Sequence, residues 1–203
     1  ALEAALPTAG PDRWTPAHLH AGPLLVPLYE RDAWTGEFVW DDPIVDVCAA
    51  SHLPYGPRAV GVLPWTPIRG PRILTATDAD RPALLCEASR HLSEAAAERG
   101  WTGVHLQFCA EDEAAALRED GWIERLTWQY VWDRAPDATG FHGHLDGKRR
   151  RELKREMRAF DKQGLRLEVL AGDAAPDDVW QAMPELYRKT AARHGDPVPL
   201  GPI

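Results

Sequence analysis

Strand-like and helix-like runs alternate along this chain, and their order constrains its fold more than any other feature. Residues 23–30 (PLLVPLYE) read as a strand and residues 36–40 (GEFVW) as a second, joined as a hairpin by residues 32–35. Residues 1–6 read as a helix tail ending at Pro7, and residues 8–20 as loop, punctuated by prolines and Gly10. Asp41 or Asp42 is placed to cap a helix over residues 43–50. Residues 58–67 (RAVGVLPWTP) read as a strand interrupted by Pro64, and a loop over residues 68–80 follows. Residues 82–99 are the clearest helix: Pro82 suits its first turn, Leu84, Leu85, Ala88 and Leu92 share a face, and Gly100 ends it. Next come a strand at 103–109, a helix at 111–119, a long strand at 122–133, and a loop at 133–143. A basic helix spans 144–164. A strand at 165–171 and a helix at 176–193, kinked or divided by Pro184, complete the order. A hairpin followed by this alternation predicts an α+β chain with a mixed central sheet flanked by helices.

In the basic stretch (HLDGKRRRELKREMRAFDKQG), Leu153, Met157 and Phe160 recur at helical spacing as a narrow apolar stripe. Arg151, Arg155, Arg158 and Lys162 fall opposite it. Like charges four apart cost an isolated helix about 0.2–0.5 kcal/mol per pair, and an evenly mixed face would avoid that. The stretch is either a solvated surface or a site for phosphate groups on RNA, a nucleotide or a lipid-linked precursor; Arg150, Arg151 and Arg155 are its candidate ligands.

The net charge of −8 argues against a general nucleic-acid binder, so any polyanion site is local. Three cysteines, Cys48, Cys86 and Cys109, show no metal-ligand or disulfide spacing. They read as reduced, buried packing residues of a cytoplasmic protein. No metal site is expected. No apolar run approaches the roughly 18 residues of a membrane span. The chain opens without Met and stops at PVPLGPI, which reads as a fragment of a longer protein.

Residues 36–41 (GEFVWD), 63–74 (LPWTPIRGPRIL), 104–108 (VHLQF), 128–132 (WQYVW) and 148–156 (KRRRELKRE), in this order, resemble the Fem-like predicted N-acyltransferases. These are a GNAT-related family often labelled peptidoglycan biosynthesis proteins. The resemblance implies a first GNAT-like lobe over 1–138, a basic connecting helix over 139–164, and the start of a second lobe over 165–203. It implies a bacterial acyltransferase that moves an acyl or aminoacyl group to an amine. The donor would be acyl-CoA or aminoacyl-tRNA, with no tightly bound cofactor. The alternative is a non-catalytic module that binds RNA or an anionic cell-wall precursor through the basic helix. Two departures bear on this. Val131 stands where the family pattern has His, and residues 58–63 (RAVGVL) match the acetyl-CoA phosphate loop only in part.

Acyl transfer to an amine needs a base and a stabilised oxyanion. Glu37, in the best-matching motif, is a candidate base or an exposed strand-edge glutamate. His105 is a candidate base or a satisfied core histidine. Asp41 reads as a helix cap. Arg69 and Arg72 flank Gly70-Pro71, and this turn is a candidate grip for a phosphate or carboxylate, or a salt-bridge partner of nearby aspartates. Tyr130 and Trp132 share a strand face and read as core, with Trp128 and Trp132 also able to shape an acceptor cleft.

Overall fold

A computed structural model describes residues 13–32, 37–131 and 140–194. Its order is β1 (Thr15–Pro16), β2 (Leu19–Ala21), β3 (Leu24–Val26), β4 (Tyr29–Arg31), α1 (Asp42–Ala50), β5 (Arg58–Gly61), β6 (Leu74–Thr75), α2 (Arg81–Arg99), β7 (Val104–Leu106), α3 (Glu111–Glu119), α4 (Gly140–His144), α5 (Gly147–Lys162) and α6 (Asp177–His194). This is an α+β fold, with two sheets and six helices among the described residues. The chain divides into two compact units, one of residues up to Leu126 together with those from Gln181 on, the other Thr127–Trp180.

In the first unit a four-stranded sheet has the order β1-β4-β5-β7, and a three-stranded sheet the order β2-β3-β6. The larger sheet is mixed: β1/β4 and β4/β5 are antiparallel and β5/β7 is parallel. Residues 23–30 form two strands rather than one, because Pro27 has no N–H to continue a ladder. The chain changes sheets there, β3 pairing with β2 and β6, and β4 with β1 and β5. The expected loop before residue 20 holds β1 and most of β2. Pro16 is tolerated because β1 lies at a sheet edge.

Register assigns the faces of the larger sheet. Tyr29 lies opposite Val60, Arg31 opposite Arg58, and Val60 opposite His105. Residues directly opposite share a face, so Tyr29, Arg31, Arg58, Val60 and His105 point one way. Ala59 points the other way, into a core with Leu28, Leu84, Leu85, Ala88, Leu92, Trp101 and Leu117. That second face is covered by α2 and α3. Asp80 caps α2 by accepting from the Ala83 N–H at 3.4 Å. Gly100 ends it with φ +67°, a conformation glycine adopts without a Cβ penalty.

Several expected strands are absent. Residues 37–39 are bends and residue 40 is irregular, so no strand forms over 37–40, and Gly36 lies outside the described residues. Side-chain partners of Glu37, not a backbone ladder, hold this stretch. Residues 123–131 and 165–171 alternate in hydrophobicity yet form no strand, because no partner strand pairs with them among the described residues. Tyr130 is fully exposed, which corrects its reading as core, and Trp128 is 95% exposed. Trp132 lies outside the described residues. The expected strand at 58–67 ends at Gly61, before a turn in which the Trp65 N–H donates to the Val62 carbonyl.

In the second unit α5 starts at Gly147, where the Asp146 carboxylate accepts from the N–H groups of Lys148 and Arg149, both at 2.8 Å. Leu153 is half-buried, and Met157 and Phe160 are exposed. α6 runs through Pro184 undivided. No helix among the described residues is long and apolar enough to cross a membrane.

Glu113, on α3, is fully buried and pins the loop before β6. Its carboxylate accepts from the N–H groups of Arg72 (3.0 Å), Ile73 (2.8 Å) and Ala110 (3.1 Å), and from Arg81 at 3.1 Å. Glu113→Ala leaves these buried donors unmatched and should lower unfolding free energy by about 3–5 kcal/mol. Urea denaturation measures this; a loss under about 1 kcal/mol would contradict the pinning role.

Candidate functional site

The first face of the larger sheet carries charge where a core would be expected. Arg31 and Arg58 are 1% and 0% exposed. The Arg31 guanidinium lies 4.2 Å from the Trp14 ring centre and that of Arg58 lies 4.7 Å from the Tyr55 ring centre. Both meet Glu37: Arg58 donates a hydrogen bond to its carboxylate, and Arg31 Nε lies 3.7 Å away. Gln107 Nε2 donates to the other Glu37 oxygen at 2.7 Å. Gln107 lies two residues beyond His105, and its N–H continues the ladder to the Gly61 carbonyl at 2.9 Å. Its Oε1 is buried without a hydrogen-bond partner among the described residues.

Asp41 adjoins this group. It stands at the N-cap position of α1 but makes no capping bond with its side chain. Its carboxylate, 2% exposed, accepts from Tyr55 and from Arg125, and His105 Nδ1 lies 3.6 Å away. Three guanidiniums thus surround two carboxylates, with one imidazole at the edge.

The environment shifts each group. Burial pushes Glu37 up to about 7, against the lowering charges of Arg58 and Arg31. Burial, helped by the charge of Arg58, drops His105 to about 4, so its ring is neutral at pH 7. Burial works to raise Asp41, but hydrogen bonds from Tyr55 and Arg125 outweigh it and hold the carboxyl below its usual range. Burial and the bond to Asp41 push Tyr55 up.

The structure therefore brings Glu37 and His105, both candidate bases, into one cluster. Glu37 is buried rather than on a strand edge, and the His105 side chain is 27% exposed rather than sealed in the core. Arg69, Gly70 and Arg72 are engaged by the protein itself. Arg69 is exposed and pairs with Glu111 at 3.8 Å, not with an aspartate. The Gly70 N–H donates to the Phe108 carbonyl at 3.0 Å. The Arg72 guanidinium donates to the carbonyls of Gln107 and Ile68, both at 2.6 Å, and of Pro71 at 3.2 Å. Arg72 thus braces the residue whose side chain holds Glu37.

On α5, Arg150 donates to the Leu145 carbonyl and Arg149 pairs with Glu152 at 3.5 Å. Arg151, Arg155 and Arg158 form no ion pair with the described residues. The cysteines are not buried packing residues: Cys86 is exposed, and Cys48 and Cys109 are half-buried. Burial and the charge of Glu113 push the Cys109 thiol up to about 12, so it is no thiolate nucleophile at neutral pH. No group of three His, Cys, Asp or Glu among the described residues is placed to hold a metal.

Sequence reasoning missed Asp41 as a hub, together with Arg31, Tyr55, Arg58, Gln107 and Arg125. A signal exists for two of them. Arg31 and Arg58 each share strand parity with an apolar residue, Tyr29 and Val60, so alternation alone places both guanidiniums on a buried face.

The family model described as FemAB-like, peptidoglycan biosynthesis/recognition, matches residues 1–199. No curated protein and no solved structure matches the chain.

The opposed shifts make a testable pH profile. Glu37 binds its proton more tightly in the fold, since its pKa rises from 4.5 to about 7. Its stabilising contribution is full below pH 4.5 and is lost as pH rises through about 7. His105 falls from 6.5 to about 4, so its contribution is full above pH 6.5 and is lost as pH falls through about 4. Each amounts to about 3 kcal/mol, and the two nearly cancel over their shared window. Glu37→Gln should leave stability rising with pH across that window, and His105→Gln should leave it falling. Urea unfolding at a series of pH values reads this, and parallel profiles in the two variants would refute the paired shifts.

Proposed function

Since the chain belongs to the FemAB-like family of peptidoglycan biosynthesis and recognition, we propose that it is an N-acyltransferase. It passes an acyl or aminoacyl group from a phosphate-containing donor, acyl-CoA or aminoacyl-tRNA, to an amine. The reading takes the mixed sheet as a GNAT-like lobe of a cytoplasmic enzyme. The observation that supports it most is the charged sheet face, where a neutral, partly exposed His105 adjoins the ionised Asp41 and the buried Glu37.

In this reading the acceptor amine attacks the donor carbonyl. The new C–N bond forms as the thioester or ester bond breaks, and the leaving thiolate or alkoxide takes up a proton. His105 meets the amine: with Nδ1 facing Asp41, its Nε2 accepts the proton that the amine loses. Glu37, pushed up to about 7, can hold or release a proton at neutral pH. Arg31, Arg58 and Gln107 keep its carboxyl in place.

The test is turnover by the full chain with acetyl-CoA and with aminoacyl-tRNA as donors and lysine-containing peptides as acceptors. Consumption of one donor is expected, and His105→Gln should slow it about 10²–10⁴-fold. Failure to consume either donor overturns the reading.

A second reading is a non-catalytic module that binds RNA or an anionic cell-wall precursor through α5. Two observations favour it: the arginines of α5 without ion pairs, and Val131 in place of the family histidine. Binding to an RNA oligonucleotide should then weaken steeply with salt. Arg151→Ala with Arg155→Ala should flatten the log–log salt slope by about 2, and salt-independent binding contradicts this reading.

A further inference from the structure

Asp41 has three partners of different standing. Tyr55 comes from the connection between α1 and β5, and His105 from β7, the last strand of the larger sheet. Arg125 comes from the segment after α3, which barely packs on its own unit. Trp122 anchors the start of that segment, its Nε1 donating to Ser89 Oγ at 2.8 Å. Beyond it Ile123 and Leu126 are 91% and 90% exposed. The other ion pair of this segment, Arg118–Glu124, is at the surface. The Arg125 side chain is itself 43% exposed, while the carboxylate it meets is 2% exposed. Arg125 can therefore leave by rotation beyond Trp122 without opening the core.

A departing Arg125 would uncover a buried anion. A carboxylate in such a place is strongly destabilising unless another cation pairs with it. A single carboxylate with a phenol and an imidazole offers too few oxygens for Ca²⁺ or Mg²⁺. A primary ammonium fits: it is a compact charge with three donors, smaller than the planar guanidinium. It would also lie beside His105, 3.6 Å from the same carboxylate.

We infer that Asp41 is the binding subsite for the ammonium form of an amine substrate, and that Arg125 is a removable placeholder for it. This rests on the transferase reading and adds the group that recognises the amine and the residue that holds its place. The amine arrives protonated, displaces the guanidinium, and is held against the carboxylate that His105 Nδ1 also faces.

The test is a titration of the full chain with n-butylammonium chloride at constant ionic strength, followed by the NMR signals of the His105 ring. Arg125→Ala should bind this probe roughly three- to tenfold more tightly than the wild type. Arg125→Lys, which restores a competing cation, should return affinity toward the wild-type value. Asp41→Asn should abolish the perturbation of His105. Equal affinity in the wild type and Arg125→Ala, or a perturbation that survives Asp41→Asn, overturns the inference. If Asp41→Asn does not fold, the Arg125 pair decides alone. Probe binding by this pattern without turnover on either donor leaves the subsite standing and removes the transferase reading. Turnover without competition by Arg125 removes only the subsite.

Discussion

Glu37 is held between the buried guanidiniums of Arg31 and Arg58, and the neighbouring structure is arranged around that contact. Each of these charges would be better solvated in water, and removing them from it costs several kcal/mol per ion. The trio persists because its opposite charges offset one another and because Gln107 supplies a further donor. Replacing one partner alone would strand the others. The sheet face that carries them sets these charges beside a small apolar cluster of Trp14, Tyr29, Val60 and Val62, while the opposite face packs an apolar core under α2 and α3.

The polar contacts connect beyond the trio. Glu113 fixes the backbone of Arg72 and Ile73, Arg72 donates to the Gln107 carbonyl, and the Gln107 side chain donates to Glu37. A buried carboxylate on α3 thus positions one on the far side of the sheet through two intervening residues. Asp41 adds an ionised carboxylate whose partners differ in exposure. Burial acts oppositely on an acid and a base, so Glu37 and His105 are both carried toward their neutral forms by the same low-dielectric setting.

Much of the helical framework was legible in sequence, because its signals are local. Pro82 and Gly100 mark α2 to within a residue, and the Leu84–Leu92 face is the one that packs. The family motifs also put Glu37 and His105 in view. What was not legible depends on distant pairing. The split at Pro27 needs two sheets to be known, and GEFVW has strand composition, yet its Glu37 is held by side chains from three other segments. Residues 123–131 carry alternation without a partner strand. Asp41 looks like a cap by position, and only the approach of Tyr55, 14 residues away, and Arg125, 84 away, turns it into a hub.

The central claim is that burial between two guanidiniums sets Glu37 near neutrality while leaving His105 uncharged. Carbon-13 NMR of the Glu37 carboxyl in the folded full chain, titrated alongside the His105 ring, measures both directly. The account predicts a Glu37 midpoint near 7 and a His105 midpoint near 4. Midpoints near 4.5 for the carboxyl and 6.5 for the imidazole, the values of solvated side chains, would contradict it.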